Sequence, residues 1–319
     1  MDASSFSNNF PKLILNQFRF LEIISNPGQL SKKFLEILGI MSVALQREMI
    51  SILPEVIDDS QHGAVIDELK TLMTDVPVLT IPILDTISNL TLDATLVTEI
   101  HETLFESLSS FDVEALPVIL RFFLQTTTPD RVDCVINSIR QNVSFEELGR
   151  LRVSAQSGKG KGKSRADRRD KTDESLMLDS IKSGMRFHQF VFNSWTKTLE
   201  VLSTPDQHTQ LDFITLIILM AVSSNFPTKR KKIDALLLHK VKKGLLTVDL
   251  VQRTIKVHHE GLVEYFDFII NLSRMLLSIS TSKDQRVQKV ASAIYSSVFQ
   301  VGDGIVRQVQ PLLMTTKSL

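Results

Sequence analysis

Apolar residues recur at three- and four-residue intervals along nearly the whole chain, as in Leu13, Ile14, Phe18, Leu21 and Ile24, or Val65, Leu69 and Leu72. That interval lines one face of an α-helix, whereas a half-buried strand would alternate residue by residue. No stretch reads as a strand. The pattern predicts helices between about 10 and 42, then over 43–58, 60–73, 78–90, 93–109, 112–126 and 129–142. It resumes over 174–203, 206–224, 229–243, 247–256, 258–280, 284–301 and 303–315. Ser60, Asp93 and Thr128, the last followed by Pro129, are the expected helix starts, because short polar side chains accept from the first free backbone N–H groups.

Helices this short and amphipathic cannot bury their apolar stripes alone, but stacked pairs can. The expected fold class is therefore all-α, an irregular α-solenoid of armadillo or HEAT-like character, with a compact irregular bundle as the alternative. Gly (12) and Pro (10) are scarce enough to suit helices joined by short turns. The periodicity stops in VSAQSGKGKGKSRADRRDKTD, which has no large apolar residue after Val153. The expected organisation is a first helical segment at 1–152, a flexible basic loop at 153–173 and a second helical segment at 174–319. Apolar residues persist to Leu312, Leu313 and Met314, so the native array is expected to continue past them.

Composition narrows the function. Lys plus Arg and Asp plus Glu balance at 36 each, so nucleic acid or an acidic membrane would have to be met by local patches rather than a global field. One cysteine, Cys134, excludes an intramolecular disulfide framework and a cysteine-based zinc site. The opening MDASSFSNNF lacks the basic-then-apolar order of a signal peptide, which points to cytosol or nucleus. The longest apolar run, Phe213 to Val222, is half the roughly 20 residues that cross a bilayer, so it reads as a buried helix and no membrane partner is expected.

Candidate chemistry is thin. Gly162-Lys163-Ser164 resembles the end of a phosphate-binding loop, but Ser157 stands where that loop needs its first glycine. His258-His259-Glu260 lacks the second histidine one turn on that a zinc helix uses, so these side chains read as solvated. Cys134, inside VDCVI, reads as a core thiol rather than a nucleophile. No catalytic residue, cofactor or metal site is expected. Two basic clusters remain: the loop from Lys159 to Lys171, read as a solvated linker or a nuclear-targeting run, and Lys229, Arg230, Lys231 and Lys232. The second cluster opens a helix, where positive charge opposes the dipole, and this makes it a candidate contact for DNA or another phosphate partner.

The helix after that cluster carries one anomaly. With Ile233 at zero and about 100° per residue, Leu236, Leu237, Val241 and Gly244 form an apolar stripe, and Lys240 falls at about 340°, in its middle. Such a lysine is either a last-turn cation snorkelling past Gly244 or an amine set at an interface.

Several strings resemble the Fanconi anaemia group D2 family: Leu53-Pro54-Glu55-Val56-Ile57 with Asp59-Ser60-Gln61-His62, then Leu79-Thr80-Ile81-Pro82-Ile83-Leu84-Asp85. Leu108-Ser109-Ser110, Leu116-Pro117-Val118-Ile119 and Leu238-His239-Lys240-Val241 ending in Gly244 extend the similarity over about 43–280. The resemblance implies a nuclear, non-enzymatic solenoid subunit in DNA interstrand-crosslink repair, paired with the Fanconi group I paralogue. It implies that one lysine receives a single ubiquitin from an E2 and a RING-type E3, and that the heterodimer then closes on double-stranded DNA. By position in its string, Lys240 looks like the ubiquitin acceptor, with Lys242 and Lys243 as neighbouring alternatives. The alternative from another class is a general helical-repeat adaptor for transport or complex assembly without ubiquitin chemistry.

Overall fold

The computed structural model describes residues 3–21, 23–108, 111–145, 172–279 and 284–301, with side chains from residue 11 onward. Fifteen α-helices and no strand occur among these residues, so the fold is all-α, of the helical-solenoid class. The chain divides into two compact units, Met1–Thr126 and Thr127–Leu319.

The first unit holds α1 (Ala3–Phe18), α2 (Pro27–Ile40), α3 (Val43–Val56), α4 (His62–Asp75), α5 (Thr80–Ile87), α6 (Ala94–Glu106) and α7 (Leu116–Thr126). Its packing is that of a solenoid: α1, α3, α5 and α7 stack in one layer, α2, α4 and α6 in a second. The apolar stripes meet between the layers, where Ile50, Leu53, Val65, Ile66, Leu69, Leu84, Ile100, Leu104 and Phe123 are buried. Each such side chain contributes about 1.5–3 kcal/mol relative to exposure. Polar cross-links join the stack, Gln46 Nε2 donating to the Leu38 carbonyl at 3.0 Å and Thr86 Oγ1 to the Ile50 carbonyl at 2.9 Å.

The second unit holds α8 (Val132–Asn142), α9 (Asp173–Phe187), α10 (Gln189–Val201), α11 (Gln210–Val222), α12 (Pro227–Lys242), α13 (Val248–Val257), α14 (Phe266–Ile279) and α15 (Gln285–Gln300). Here the organisation is central rather than layered. The apolar run predicted as a buried helix is α11, buried at every position from Gln210 to Ala221. A helix apolar all round belongs inside, and α9, α10, α12, α13 and α14 all pack on it. No described helix is long and apolar enough to cross a membrane.

Three expectations from sequence are corrected. The helix at 129–142, assigned to the first segment, packs as α8 against α10 and so belongs to the second unit. The single helix expected over 174–203 is two, α9 and α10, divided at His188, whose backbone is extended (φ −120°, ψ 110°). Asp93 does cap α6, accepting from Leu96 N–H at 2.8 Å, but Ser60 caps nothing: its own N–H donates to Asp58 at 3.0 Å in a 3₁₀ turn ahead of α4. A carboxylate two residues upstream outcompetes the hydroxyl for the same free N–H groups. The phosphate-loop-like Gly162-Lys163-Ser164, nearly all of the basic loop and the helix expected over 303–315 lie outside the described residues.

Candidate functional site

Lys240 lies in the last turn of α12 and is buried, with 1% of its surface exposed. The stripe position inferred from helical spacing is thus where the structure puts it. The side chain does not snorkel past Gly244. Its Nζ donates to the carbonyl of Leu202, the residue that terminates α10. A carbonyl at a helix C-terminus has no intrahelical donor and carries the negative end of the dipole, so an ammonium satisfies it twice over. Burial lowers the Lys240 pKa from its ordinary 10.5, partly offset by Asp212 and Glu200.

The turn that follows fixes this lysine's backbone. Gly244 has φ +74°, its N–H donates to the Val241 carbonyl at 3.0 Å, and Leu245 N–H donates to the Lys240 carbonyl at 2.9 Å. This is the Schellman ending, which needs the left-handed conformation that glycine adopts without strain.

Around Lys240 lies a polar network inside the apolar unit. Asp212 is fully buried and accepts four hydrogen bonds: Arg140 Nε at 2.7 Å, Arg140 Nη2 at 2.9 Å, Thr209 N–H at 2.8 Å and Thr209 Oγ1 at 3.1 Å. One carboxylate therefore pairs bidentately with α8 and closes the capping box of α11. His208, also buried, sits beside it with Nδ1 at 2.9 Å from the Thr204 carbonyl. Burial lowers its pKa from 6.5, and nearby Lys240 and Arg140 act in the same direction against Asp212 and the Thr204 bond.

The basic cluster at the other end of α12 is mostly committed inside the unit. Lys229 donates to Gln189 Oε1 and lies 5.5 Å and 4.9 Å from the Phe192 and Phe226 ring centroids. Arg230 pairs with Asp234 at 2.7 Å, and Lys232 with Glu200 at 3.0 Å. Lys231 is exposed and has no ion pair among the described residues. The strip is therefore less positive than its sequence suggests.

Two further readings are corrected. His258 is not solvated: it is fully buried, Nδ1 bonded to Glu174 and Nε2 to Gln210 Oε1 at 2.5 Å. It caps the junction of α13 with the following turn, a site that spacing alone does not mark. Cys134 is exposed rather than a core thiol. Val132, Val135, Ile136 and Ile139 form the buried stripe of α8, and about 100° per residue puts Cys134 opposite it. Among the described residues, no three His, Cys, Asp or Glu side chains gather as a metal-holding group.

These features define an all-α protein of stacked helices in which the singular polar side chains hold helix ends together. The chain belongs to the FancD2 family: the family profile described as "Fanconi anaemia protein FancD2 nuclease" matches residues 2–314. It is 29% identical over 314 residues to the Fanconi anemia group D2 protein of Gallus gallus, covering 96% of this chain and 21% of the relative. It is likewise 29% identical over 307 residues to the Fanconi anemia group D2 protein homolog of Mus musculus, covering 94% and 21%. The chain thus spans about a fifth of the length of the curated relatives it matches.

Proposed function

We propose that this chain is a scaffold segment of a nuclear protein of DNA interstrand-crosslink repair, which pairs with the Fanconi group I paralogue, closes on double-stranded DNA and is monoubiquitinated by an E2 and a RING-type E3. The observation that carries the reading is membership of the FancD2 family over nearly the whole chain. Stacked helices supply extended faces for a partner without requiring a reactive centre, which agrees with it.

Within this reading Lys240 is the proposed ubiquitin acceptor, with Lys242 and Lys243 as its neighbouring alternatives. An amine must be deprotonated and reach a thioester carbon to form an isopeptide; burial favours the neutral form, but this amine is 1% exposed and bonded to the Leu202 carbonyl, so it must be released before modification. Lys242 and Lys243 are exposed and need no such release. The test is reconstituted ubiquitination with the paralogue, E2, E3 and duplex DNA. The singly modified band is expected to be lost in Lys240→Arg, with circular dichroism and melting unchanged. Its persistence in that variant would reject Lys240 in favour of a neighbouring lysine; absence of any singly modified band in the unsubstituted protein would count against the ubiquitination reading.

The word nuclease in the family description favours a second reading, strand cleavage by the family's longer members. Incubating this chain and the full-length protein with labelled duplex and Mg²⁺ or Mn²⁺ separates the two: cleavage products that vanish with chelator would support the nuclease reading.

A further inference from the structure

The group that holds the buried Lys240 amine belongs to a surface turn and not to the core. The connection from α10 to α11 meets Lys240 at both of its ends: Leu202 gives the carbonyl that accepts from Nζ, and His208 lies close enough to feel the ammonium charge. Between these ends Ser203, Thr204, Pro205, Asp206 and Gln207 are all exposed. Moving them forfeits almost no buried apolar surface, so a local opening here costs far less than unfolding the unit.

The turn is fastened at few points, and Gln207 serves two of them. Its Oε1 accepts from Ser203 N–H at 2.8 Å and Thr204 N–H at 3.2 Å, which closes the turn on itself. Its carbonyl accepts at 3.3 Å from Arg140 Nη2, the same nitrogen that donates to Asp212, which ties the turn to α8. The flanking residues are extended, Leu202 at φ −61°, ψ 118° and His208 at φ −90°, ψ 125°. Rotation at these two positions would lift the turn while α10 and α11 stay packed.

We propose that the Leu202–His208 turn is an intrachain lid on the Lys240 amine, and that Gln207, with Arg140 behind it, is the positioning residue that holds the lid shut. The inference rests on the reading of Lys240 as acceptor and names what regulates that site. Opening withdraws the Leu202 carbonyl and exposes the amine. Its nitrogen then attacks the thioester carbon, the C–S bond breaks, the E2 thiolate leaves and the displaced proton passes to water.

The test is brief acetylation of the 319-residue chain by N-hydroxysuccinimidyl acetate, read lysine by lysine by peptide mass spectrometry, with exposed Lys243 as internal reference. Labelling scales with the open fraction, so Lys240 is expected to react much more slowly than Lys243. Gln207→Ala is expected to speed Lys240 labelling by at least about fivefold, the low end of what two net hydrogen bonds contribute. Gln207→Glu keeps an acceptor oxygen and is expected to label like the unsubstituted chain. Ser273→Ala removes a buried hydrogen bond to the Ala291 carbonyl elsewhere in the same unit. It is expected to leave Lys240 labelling unchanged, which separates a local lid from general loosening. Equal labelling of Lys240 and Lys243 in the unsubstituted chain, or equal acceleration by Gln207→Ala and Ser273→Ala, would overturn the lid. In reconstituted ubiquitination, Gln207→Ala is expected to form the singly modified band faster, and no gain in rate despite faster labelling would overturn the lid's control of modification. A band that persists in Lys240→Arg, with the labelling pattern as expected, would remove the acceptor reading and leave the lid standing.

Discussion

Asp212→Ala tests whether the buried network is a structural keystone of the second unit. The substitution removes a carboxylate with no exposed surface and leaves four donors behind: two from Arg140, the Thr209 N–H and the Thr209 hydroxyl. Arg140 is 14% exposed at its side chain, so its guanidinium would be left largely dehydrated beside apolar α11. Breaking one partner of a buried ion pair costs about 3–5 kcal/mol, because the remaining charge is uncompensated. Loss of the α11 cap costs about 1 kcal/mol on its own. The two are not additive, since one carboxylate serves both, and about 3–5 kcal/mol is the expected total. For a unit of this size that lowers the melting temperature by about 6–20 °C. Urea unfolding followed by circular dichroism, with Tm from calorimetry, measures it. The double substitution Arg140→Met with Asp212→Leu is expected to recover part of the loss, because no unpaired charge remains. An Asp212→Ala loss below about 1 kcal/mol, or a double variant no better than the single one, would refute the reasoning.

Three other outcomes follow from the same geometry. The depressed pKa of His208 means that the unfolded chain takes up a proton near its ordinary 6.5 before the folded chain does. Stability is therefore expected to fall as pH drops below about 6.5, and denaturant midpoints at pH 7 and 5.5 should converge in His208→Gln relative to the unsubstituted chain. Gly244→Ala places a Cβ in a left-handed turn at φ +74° and is expected to cost about 1–2 kcal/mol, read from the urea midpoint. Cys134, being exposed, is expected to react with a maleimide as fast in the native protein as in urea; protection in the native state would contradict its place on α8.

Much of the fold was legible because helical periodicity is a local property. Leu69, Leu104, Phe123 and Leu276 lie on stripes visible in the sequence, and all are buried. The α9–α10 break was hidden because Phe187 continues the apolar spacing across His188 although it is 72% exposed. The misplacement of Cys134 was avoidable, since the angular spacing of its own helix sets it apart. What could not be read was every contact between distant residues. Lys240 was visible as an anomaly on a stripe, but its acceptor is 38 positions upstream. Arg140 and Asp212 are separated by 72 positions, and His258 and Glu174 by 84. Pairings of this kind depend on how helices pack, which the order of polar and apolar residues does not encode. The contacts of the basic strip were hidden for the same reason: Gln189, Phe192 and Glu200, which engage Lys229 and Lys232, sit on α10.

The two units differ in how they would absorb insertions and deletions. In the first, each helix leans on its neighbours two places away, so a helix pair added or removed at a layer boundary leaves the remaining packing of the same type. In the second, five helices share the single rod α11. Nothing there can be excised piecemeal, and a lesion in those thirteen residues is felt by the entire unit at once. Natural length variation in this family should accordingly gather in the first 126 residues and stay clear of 210–222.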